Sequence, residues 1–193
     1  MKNKSLTGII LAGGKSSRMG TDKAFLIYNN KTFIEHVIEA LKPSVSDIII
    51  SANTEVYSSL GYKVYNDSIP NCGPLGGIYT ALSNSKSEKN IVISCDMPLV
   101  NAHLIKYLIE HAQEEQVNLL AHNGNVEPLC AIYNKSCLPI LKTCLKNNFL
   151  KMKNVLRQLS IHKIEIKNEL FYHPQLMSNI NTPTELNYIS NYK

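Results

Sequence analysis

Short, almost purely apolar runs alternate with amphipathic segments along the first half of the chain. Residues 47–51 and 90–95 are nearly continuous apolar runs, which is typical of strands buried on both faces of a sheet. Residues 32–41 instead place apolar side chains three and four positions apart, which is the spacing of one helix face. The same reasoning predicts strands at 8–12, 47–51, 61–65, 90–95, 117–121, 130–133 and 161–166, and helices at 32–41, 75–82, 101–115, 136–145, 153–159 and 184–189.

Strands that alternate with helices predict an α/β fold with a mostly parallel central sheet that helices cover on both faces. The 193 residues are enough for one compact core and few for two, so we predict a single Rossmann-like, three-layer α/β/α domain over residues 1–193. In open sheets of this kind, ligands bind beyond the carboxyl ends of the strands. We therefore expect the chemistry just after Leu11, Ser51, Tyr65 and Cys95.

The composition excludes several classes of protein. Apolar residues make up 44% and charged residues 18%, as in ordinary globular domains. No stretch approaches the ~18 consecutive apolar residues of a membrane span, and the apolar run at 8–12 is too short for a secretion signal. The five cysteines are odd in number and form no C-x-x-C pair, so neither a disulfide framework nor a zinc site is expected. We expect a cytoplasmic protein with no membrane contact.

The net charge of +5 suits anionic ligands in general but does not indicate nucleic acid. The sequence has no long run of Lys or Arg and no basic stripe with interleaved aromatic side chains, so we expect no nucleic-acid partner. The six histidines show no metal-ligand spacing, and we assign none of them a catalytic role.

Residues 11–23 form the segment richest in candidate chemistry, and they read L-A-G-G-K-S-S-R-M-G-T-D-K. Glycines let the main chain approach a ligand closely and point N–H groups at it, while Arg18 and Lys23 add positive charge. This combination predicts a cradle for a nucleoside triphosphate, the alternative being a basic surface turn. It is not a P-loop, because the glycine that a P-loop requires falls at Ile9, and the loop contains no G-x-G-x-x-G fingerprint.

Three further polar residues follow predicted strands: Asn53, Asp67 and Asp96. A carboxylate after an apolar strand, as at Asp96, is well placed to hold Mg²⁺, which prefers oxygen ligands and bridges phosphates. The alternative for Asp96 is an Asx turn or a cap before the next helix, whose predicted cap is Asn101. Asp67 could equally form a turn, and Asn53 could cap a helix that starts near Thr54.

Residues 11–23 match the pattern L-A-G-G-x-S-x-R-M-G-x-D-K, which resembles the signature of the molybdenum cofactor guanylyltransferase family. Related cytidylyltransferases usually have L-A-A-G at this place, so Gly13 sets this chain apart from them. Further matching segments are 51–53, 66–68, 73–77, 95–98, 127–129 and 179–183. The resemblance therefore spans nearly the whole chain and is weakest over 147–172.

The resemblance implies that the protein transfers GMP from GTP to the phosphate of molybdenum-molybdopterin, which forms molybdopterin guanine dinucleotide and releases pyrophosphate. It implies three catalytic groups: Asp96, which holds Mg²⁺, Lys23 near the α-phosphate, and Arg18 near the leaving pyrophosphate. It also implies transient contacts with cofactor-biosynthesis or cofactor-insertion proteins. The residues implied in GTP binding are Leu11, Ala12, Gly13, Gly14, Lys23, Asn53, Asp67, Gly73, Pro74, Leu75, Gly77 and Asp96.

For the molybdopterin acceptor, the resemblance points to Asn179 and Asn181 and, in a looser alignment, to Lys151 and Lys153. Residues 182–183 also suit the start of a helix, and the two lysines could equally belong to a solvated helix face. Two rival functions stay open. One is a nucleotidyltransferase that uses CTP or a sugar phosphate, and the other is a nucleotide-binding carrier that delivers cofactor without forming pyrophosphate.

Overall fold

A computed structural model describes residues 5–12, 22–122 and 124–190. In these ranges the strands are β1 (Leu6–Leu11), β2 (Ile27–Tyr28), β3 (Lys31–Thr32), β4 (Asp47–Ser51), β5 (Lys63–Tyr65), β6 (Lys89–Ser94), β7 (Val117–His122), β8 (Asn125–Asn134) and β9 (Ile161–Glu165). The helices are α1 (Phe33–Leu41), α2 (Gly73–Asn84), α3 (Ala102–Glu110), α4 (Leu138–Lys146), α5 (Met152–Leu156) and α6 (Pro183–Ser190), and 3₁₀ segments lie at Lys23–Phe25, Glu55–Leu60 and Lys135–Cys137. None of the helices in these ranges is long and apolar enough to cross a lipid bilayer.

Seven of the strands form one sheet in the order β5-β4-β1-β6-β8-β7-β9. Strand β8 runs antiparallel to its neighbours β6 and β7, whereas every other neighbouring pair in this sheet is parallel. The two short strands β2 and β3 form a separate antiparallel hairpin. The prediction of an α/β fold with a mostly parallel central sheet is therefore confirmed.

Helices cover both faces of the sheet, because successive residues of a strand point in opposite directions. Ile10 and Ile50 pack with α1 and α3 on one face, which we call the α1 face. Ile9 and Ile49 pack with α2 and α4 on the other, the α2 face. Each fully buried isoleucine contributes about 1.5–3 kcal/mol of transfer free energy, so both layers hold the sheet in place.

Two predicted elements differ from the structure by five residues at one end, more than any other. Strand β8 begins at Asn125 rather than at residue 130, because its first residues pair with the end of β7 across a bulge. Polar residues and Pro128 in that stretch hide the strand pattern. Helix α3 ends at Glu110 rather than at residue 115, since residues 113–116 are all polar and offer no apolar face to bury.

The strand directions bring distant segments to one edge of the sheet. The carboxyl ends of the parallel strands β1, β4, β5, β6, β7 and β9 and the amino end of the antiparallel strand β8 lie at the same edge, which we call the upper edge. This is the edge at which open α/β sheets bind ligands. The segments that follow β1, β4, β5 and β6 therefore meet the β7–β8 hairpin there.

Candidate active site

Main-chain hydrogen bonds align the first residues beyond the strands at the upper edge. The N–H of Ala12 donates to the carbonyl of Ser51 at 2.9 Å, and the N–H of Cys95 donates to the carbonyl of Leu11 at 3.0 Å. The segments that leave β1, β4 and β6 therefore start side by side. Ala12 and Leu11 are almost fully buried, so a ligand at this edge would meet them through their main chain. Three predicted site residues lie outside the described residues: Gly13, Gly14 and Arg18.

Asn53 and Asp67 form a hydrogen-bonded pair beyond β4 and β5. The Asn53 Oδ1 accepts the N–H of Asp67 at 2.8 Å, and the Asn53 Nδ2 donates to the Asp67 Oδ2 at 3.4 Å. The hydroxyl of Ser51 donates to the other carboxylate oxygen of Asp67 at 3.3 Å. The residue that caps the following 3₁₀ segment is Thr54, so the alternative role of Asn53 as a helix cap is wrong.

The start of α2 packs directly against this pair. A Cβ added at Gly77 would lie 2.8 Å from the Ser51 Oγ, and one added at Gly76 would lie 3.1 Å from the Ile69 carbonyl oxygen. These distances leave no space for a side chain, so the two glycines let the helix approach the Asp67 carboxylate closely. The matched segment 73–77 contains both glycines, but only Gly77 was among the residues implied in GTP binding.

The remaining predicted residues of this segment are Gly73, Pro74 and Leu75, which form the first turn of α2. Gly73 has a φ of +57°, a backbone conformation that favours glycine. The side chain of Leu75 is fully buried in the core of the α2 face. Any contact of Leu75 with a ligand would therefore involve its main chain, as the N–H groups at a helix start allow.

Asp96 follows β6 and carries an unsatisfied oxygen. Its Oδ1 is buried and has no hydrogen-bond partner in the described part of the chain. Asn101 caps α3, since its Oδ1 accepts the N–H of Leu104 at 3.0 Å, so the helix does not need Asp96. A buried carboxylate oxygen without a donor is costly, and a cation would satisfy it.

No group of three His, Cys, Asp or Glu side chains in the described ranges could hold a metal by itself. A site with one carboxylate fits Mg²⁺, which usually takes one or two carboxylates and completes its shell with water and phosphate oxygens. Asp96 could provide that carboxylate, because its unsatisfied oxygen follows β6 at the upper edge.

Lys23 lies at the same edge and is joined to the segment before α6. Its Nζ donates to the Asn181 Oδ1 at 2.5 Å. The next residue back, Ile180, donates its N–H to the carbonyl of Asp96 at 2.8 Å. Residues 180 and 181 thus contact both Lys23, at the end of the segment that follows β1, and Asp96, two residues after β6. Lys23 and Asp96 therefore lie in one region of the structure although they are far apart in the sequence.

Asp22 and Tyr57 belong to this region, and the sequence reasoning gave them no role. The Tyr57 hydroxyl lies 2.6 Å from the Asp22 Oδ2 and 3.0 Å from the Ala12 carbonyl oxygen. Asp22 also accepts the N–H of Ala24 at 3.1 Å and so caps the 3₁₀ segment that carries Lys23. Asp22 stands in the matched loop pattern, whereas nothing in the sequence around Tyr57 signals a contact 35 residues away.

The charges of this region act on Cys95. Burial raises the pKa of the Cys95 thiol, and the carboxylates of Asp96 and Asp22 raise it further, while Lys23 opposes them. The thiol is therefore protonated at neutral pH and does not serve as a nucleophile. Lys23, Asp22 and Asp96 thus all act on the end of β6.

The four predicted acceptor residues do not lie together. Asn179 lines a cavity of about 350 Å³, and Asn181 donates its Nδ2 to the Asn179 carbonyl at 3.3 Å. Lys153 lines a different cavity of about 400 Å³, which also includes Pro128. Glu127 belongs to the first cavity, so the cavities lie on opposite sides of β8. Lys151 is exposed just before α5.

Residues 182–183 begin α6, as the sequence suggested. The Thr182 Oγ1 accepts the N–H of Glu185 at 3.2 Å, and the Glu185 Oε2 accepts the N–H groups of Asn181 at 2.6 Å and Thr182 at 2.9 Å. This reciprocal arrangement is a capping box, which fixes the start of the helix. It also fixes the main chain of Asn181, whose side chain contacts Lys23.

Comparison with known proteins bears on this site. Residues 8–164 match a family described as the MobA-like NTP transferase domain. A probable molybdenum cofactor guanylyltransferase of Flavobacterium johnsoniae is 38% identical over 185 residues, which cover 95% of this chain and 96% of that protein. The molybdenum cofactor guanylyltransferase of Vibrio parahaemolyticus is 33% identical over 183 residues, which cover 92% of this chain and 91% of that protein.

The chain belongs to the molybdenum cofactor guanylyltransferase family. It is therefore an enzyme of the nucleotidyltransferase class, as its first loop indicated. Among solved structures, molybdopterin-guanine dinucleotide biosynthesis protein A of Archaeoglobus fulgidus has the same fold, with a TM-score of 0.80 at 23% identity over 96% of this chain and 97% of that one.

Proposed function

We propose that this guanylyltransferase transfers GMP from GTP to the terminal phosphate of molybdenum-molybdopterin. A phosphate oxygen of the acceptor attacks the α-phosphorus of GTP, the bond from that phosphorus to the bridging oxygen of the β-phosphate breaks, and pyrophosphate leaves. The product is molybdopterin guanine dinucleotide. The observation that carries this proposal is the convergence of Lys23 and Asp96 through residues 180 and 181.

The guanosine of GTP would bind over the pair of Asn53 and Asp67. The amide of Asn53 offers both a donor and an acceptor, which can satisfy the edge of a guanine or a ribose. The main chain of Leu11, Ala12 and the first turn of α2 (73–77) would form the walls, since these segments approach the pair closely. Gly13 and Gly14 would continue the cradle around the phosphates.

The charged residues would act on the phosphates. Transfer of a phosphoryl-type group needs positioning and charge neutralisation more than covalent chemistry from the protein. Lys23 would neutralise the α-phosphate, and Arg18 the leaving pyrophosphate. Asp96 would hold Mg²⁺, which when bound supplies positive charge to the phosphate oxygens. The acceptor phosphate is already an anion, so the enzyme needs no general base.

The test is an assay of pyrophosphate release from the purified enzyme with molybdopterin and Mg²⁺, with GTP and CTP compared. We expect release that needs both molybdopterin and GTP, together with the guanine dinucleotide as product. A preference for CTP would contradict the guanine assignment. Tight GTP binding with no pyrophosphate formed would indicate a carrier instead of a transferase.

A further inference from the structure

The cavity beside Asn179 lies at the upper edge, on the acceptor side of the site. It is about 350 Å³ in volume, within the usual range of about 300–1,000 Å³ for small-molecule pockets. Its wall includes Ile180, whose N–H binds Asp96, and Asn179, whose carbonyl accepts from Asn181. One main-chain hydrogen bond therefore joins the cavity wall to Asp96, and two hydrogen bonds, through the side chain of Asn181, join it to Lys23.

Its polar lining includes two carboxylates, those of Glu127 and Glu185, and a buried amide oxygen. Glu127 presents a carboxylate that is only 20% exposed, and the Gln175 Oε1 is buried without a partner in the described part of the chain. Apolar walls come from Met177, Ile180 and Ile189. The partly exposed carboxylate of Glu127 is the acceptor that a ligand in the cavity can reach, so a ligand with N–H groups would be stabilised here.

A histidine and a tyrosine hold the Glu127 carboxylate in position. The His122 Nε2 lies 3.3 Å from the Glu127 Oε1, and the His122 Nδ1 lies 3.2 Å from the Tyr172 hydroxyl. A neutral imidazole can accept from Tyr172 and donate to Glu127 at the same time. Each carboxylate oxygen can accept two hydrogen bonds, and no other described residue donates a hydrogen bond to this carboxylate, so both oxygens of Glu127 can still accept from a ligand.

The charge of the lining favours binding of a neutral ring rather than of a phosphate group. No Lys or Arg lines this cavity among the described residues, and Glu185 adds a second carboxylate. The cavity on the other side of β8 contrasts with it, because Lys153, Arg157 and Lys163 line that one. Two carboxylates repel a phosphate but bind a heterocycle whose edge carries adjacent N–H donors.

We propose that this cavity binds the pterin ring of the acceptor, and that Glu127 accepts hydrogen bonds from the 2-amino group and the neighbouring ring N–H. The inference rests on the proposed function, which makes a pterin the acceptor. A pterin carries a 2-amino-4-oxo pyrimidine edge, which pairs with a carboxylate through two parallel N–H···O bonds. Its phosphate-bearing side chain would leave the cavity past Asn179 and Asn181 toward Lys23. His122 acts as a positioning residue.

The first arm of the test measures steady-state kinetics of Glu127→Gln, which keeps the shape but replaces an acceptor oxygen with an NH₂ donor. We expect the KM for molybdopterin to rise about tenfold or more, with the KM for GTP unchanged. Glu165→Gln, an exposed glutamate at the same edge at the end of β9, is the matched control and should change neither KM. An unchanged KM for molybdopterin in Glu127→Gln would overturn the proposal.

The second arm uses the unmodified enzyme and does not depend on turnover. Pterin and lumazine differ in that lumazine carries an oxo group where pterin has the 2-amino group, and fluorescence titration can follow both. We expect pterin to bind about tenfold more tightly than lumazine, and the preference to vanish in Glu127→Gln. Equal binding of the two would refute the role of Glu127. Absence of pyrophosphate release by an enzyme that still prefers pterin would instead refute the proposed transfer.

Discussion

The side of the upper edge that we propose binds the nucleotide and the side that we propose binds the acceptor, called here the nucleotide side and the acceptor side, are built in different ways. On the nucleotide side, main chain and short side chains from β1, β4 and α2 pack so closely that a Cβ at Gly77 would meet the Ser51 Oγ at 2.8 Å. On the acceptor side, longer side chains such as Glu127 and Gln175 surround an open cavity. The nucleotide side has almost no space for an added atom. On the acceptor side, a substitution can change the contacts with a ligand without moving the main chain. This contrast predicts that the nucleotide side selects its ligand through closely packed main chain and the short side chain of Asn53, and the acceptor side through longer side chains.

The largest expected effect is at the junction of the two sides. Asp96→Ala should fold normally but lose about a hundredfold or more in kcat, because it removes the carboxylate that we propose holds Mg²⁺. Steady-state pyrophosphate release measures the loss. Asp47→Ala, at the opposite edge of the sheet where β4 begins, is the control and should keep kcat. An Asp96→Ala enzyme with near-normal turnover would remove Asp96 from the site.

A second prediction targets the close packing of the nucleotide side. Gly77→Ala must displace Ser51 and with it Asp67, since the Ser51 hydroxyl donates to that carboxylate. Overpacking of this kind costs about 1–3 kcal/mol, so we expect a KM for GTP that is about tenfold higher.

Gly61→Ala serves as the control for that change. Gly61 has open space around its Cβ position but a φ of +77°, so alanine there lowers stability without touching the nucleotide. Thermal unfolding and GTP kinetics together separate the two variants. A Gly77→Ala enzyme that loses stability but keeps its KM for GTP would place the nucleotide elsewhere.

A third prediction concerns the contact that connects the two sides. Asn181→Ala removes the acceptor that lies 2.5 Å from the Lys23 Nζ, so the ammonium group is less well positioned. We expect kcat to fall about tenfold, since a hydrogen bond to a charged group contributes about 1.5–3 kcal/mol. Asn154→Ala, on the exposed surface of α5, is the matched control. Equal kcat values for the two variants would mean that the contact has no part in catalysis.

The smallest effect on turnover is expected at Tyr57, whose hydroxyl contacts Asp22 and Ala12 and whose removal should act on stability instead. Tyr57→Phe removes the hydroxyl between Asp22 and Ala12 and should lower the free energy of unfolding by about 1–3 kcal/mol, because that hydroxyl is buried. Urea unfolding measures the change. Tyr79→Phe, whose ring is partly exposed, should alter stability much less. A stable Tyr57→Phe enzyme would show that the first loop does not depend on this hydroxyl.

The sequence predicted the sheet well because buried parallel strands leave a direct signal. Residues 48–50 and 91–93 are continuous apolar runs, and the structure has β4 and β6 there. The first five residues of β8 lack that signal, since Asn125, Glu127 and Pro128 interrupt it and their pairing depends on a hairpin partner. The hydrophobic pattern of residues 125–129 therefore cannot show that they pair with β7.

The same distinction applies to the site. Asp96 could be predicted, because a carboxylate that directly follows an apolar strand must lie at the upper edge. The contact between Asn53 and Asp67 could not, since it depends on β4 and β5 being neighbours. Tyr57 and Gln175 carry no local signal either, because what makes them relevant is burial beside a partner from a distant segment.

One kinetic experiment tests the central claim, that two differently built sides serve one transfer. Initial rates are measured for Gly77→Ala and Glu127→Gln while GTP and molybdopterin are varied independently. We predict that Gly77→Ala raises the KM for GTP alone and that Glu127→Gln raises the KM for molybdopterin alone. If both substitutions raise the same KM, or if each raises the KM of the other substrate, the division of the upper edge into these two sides is wrong.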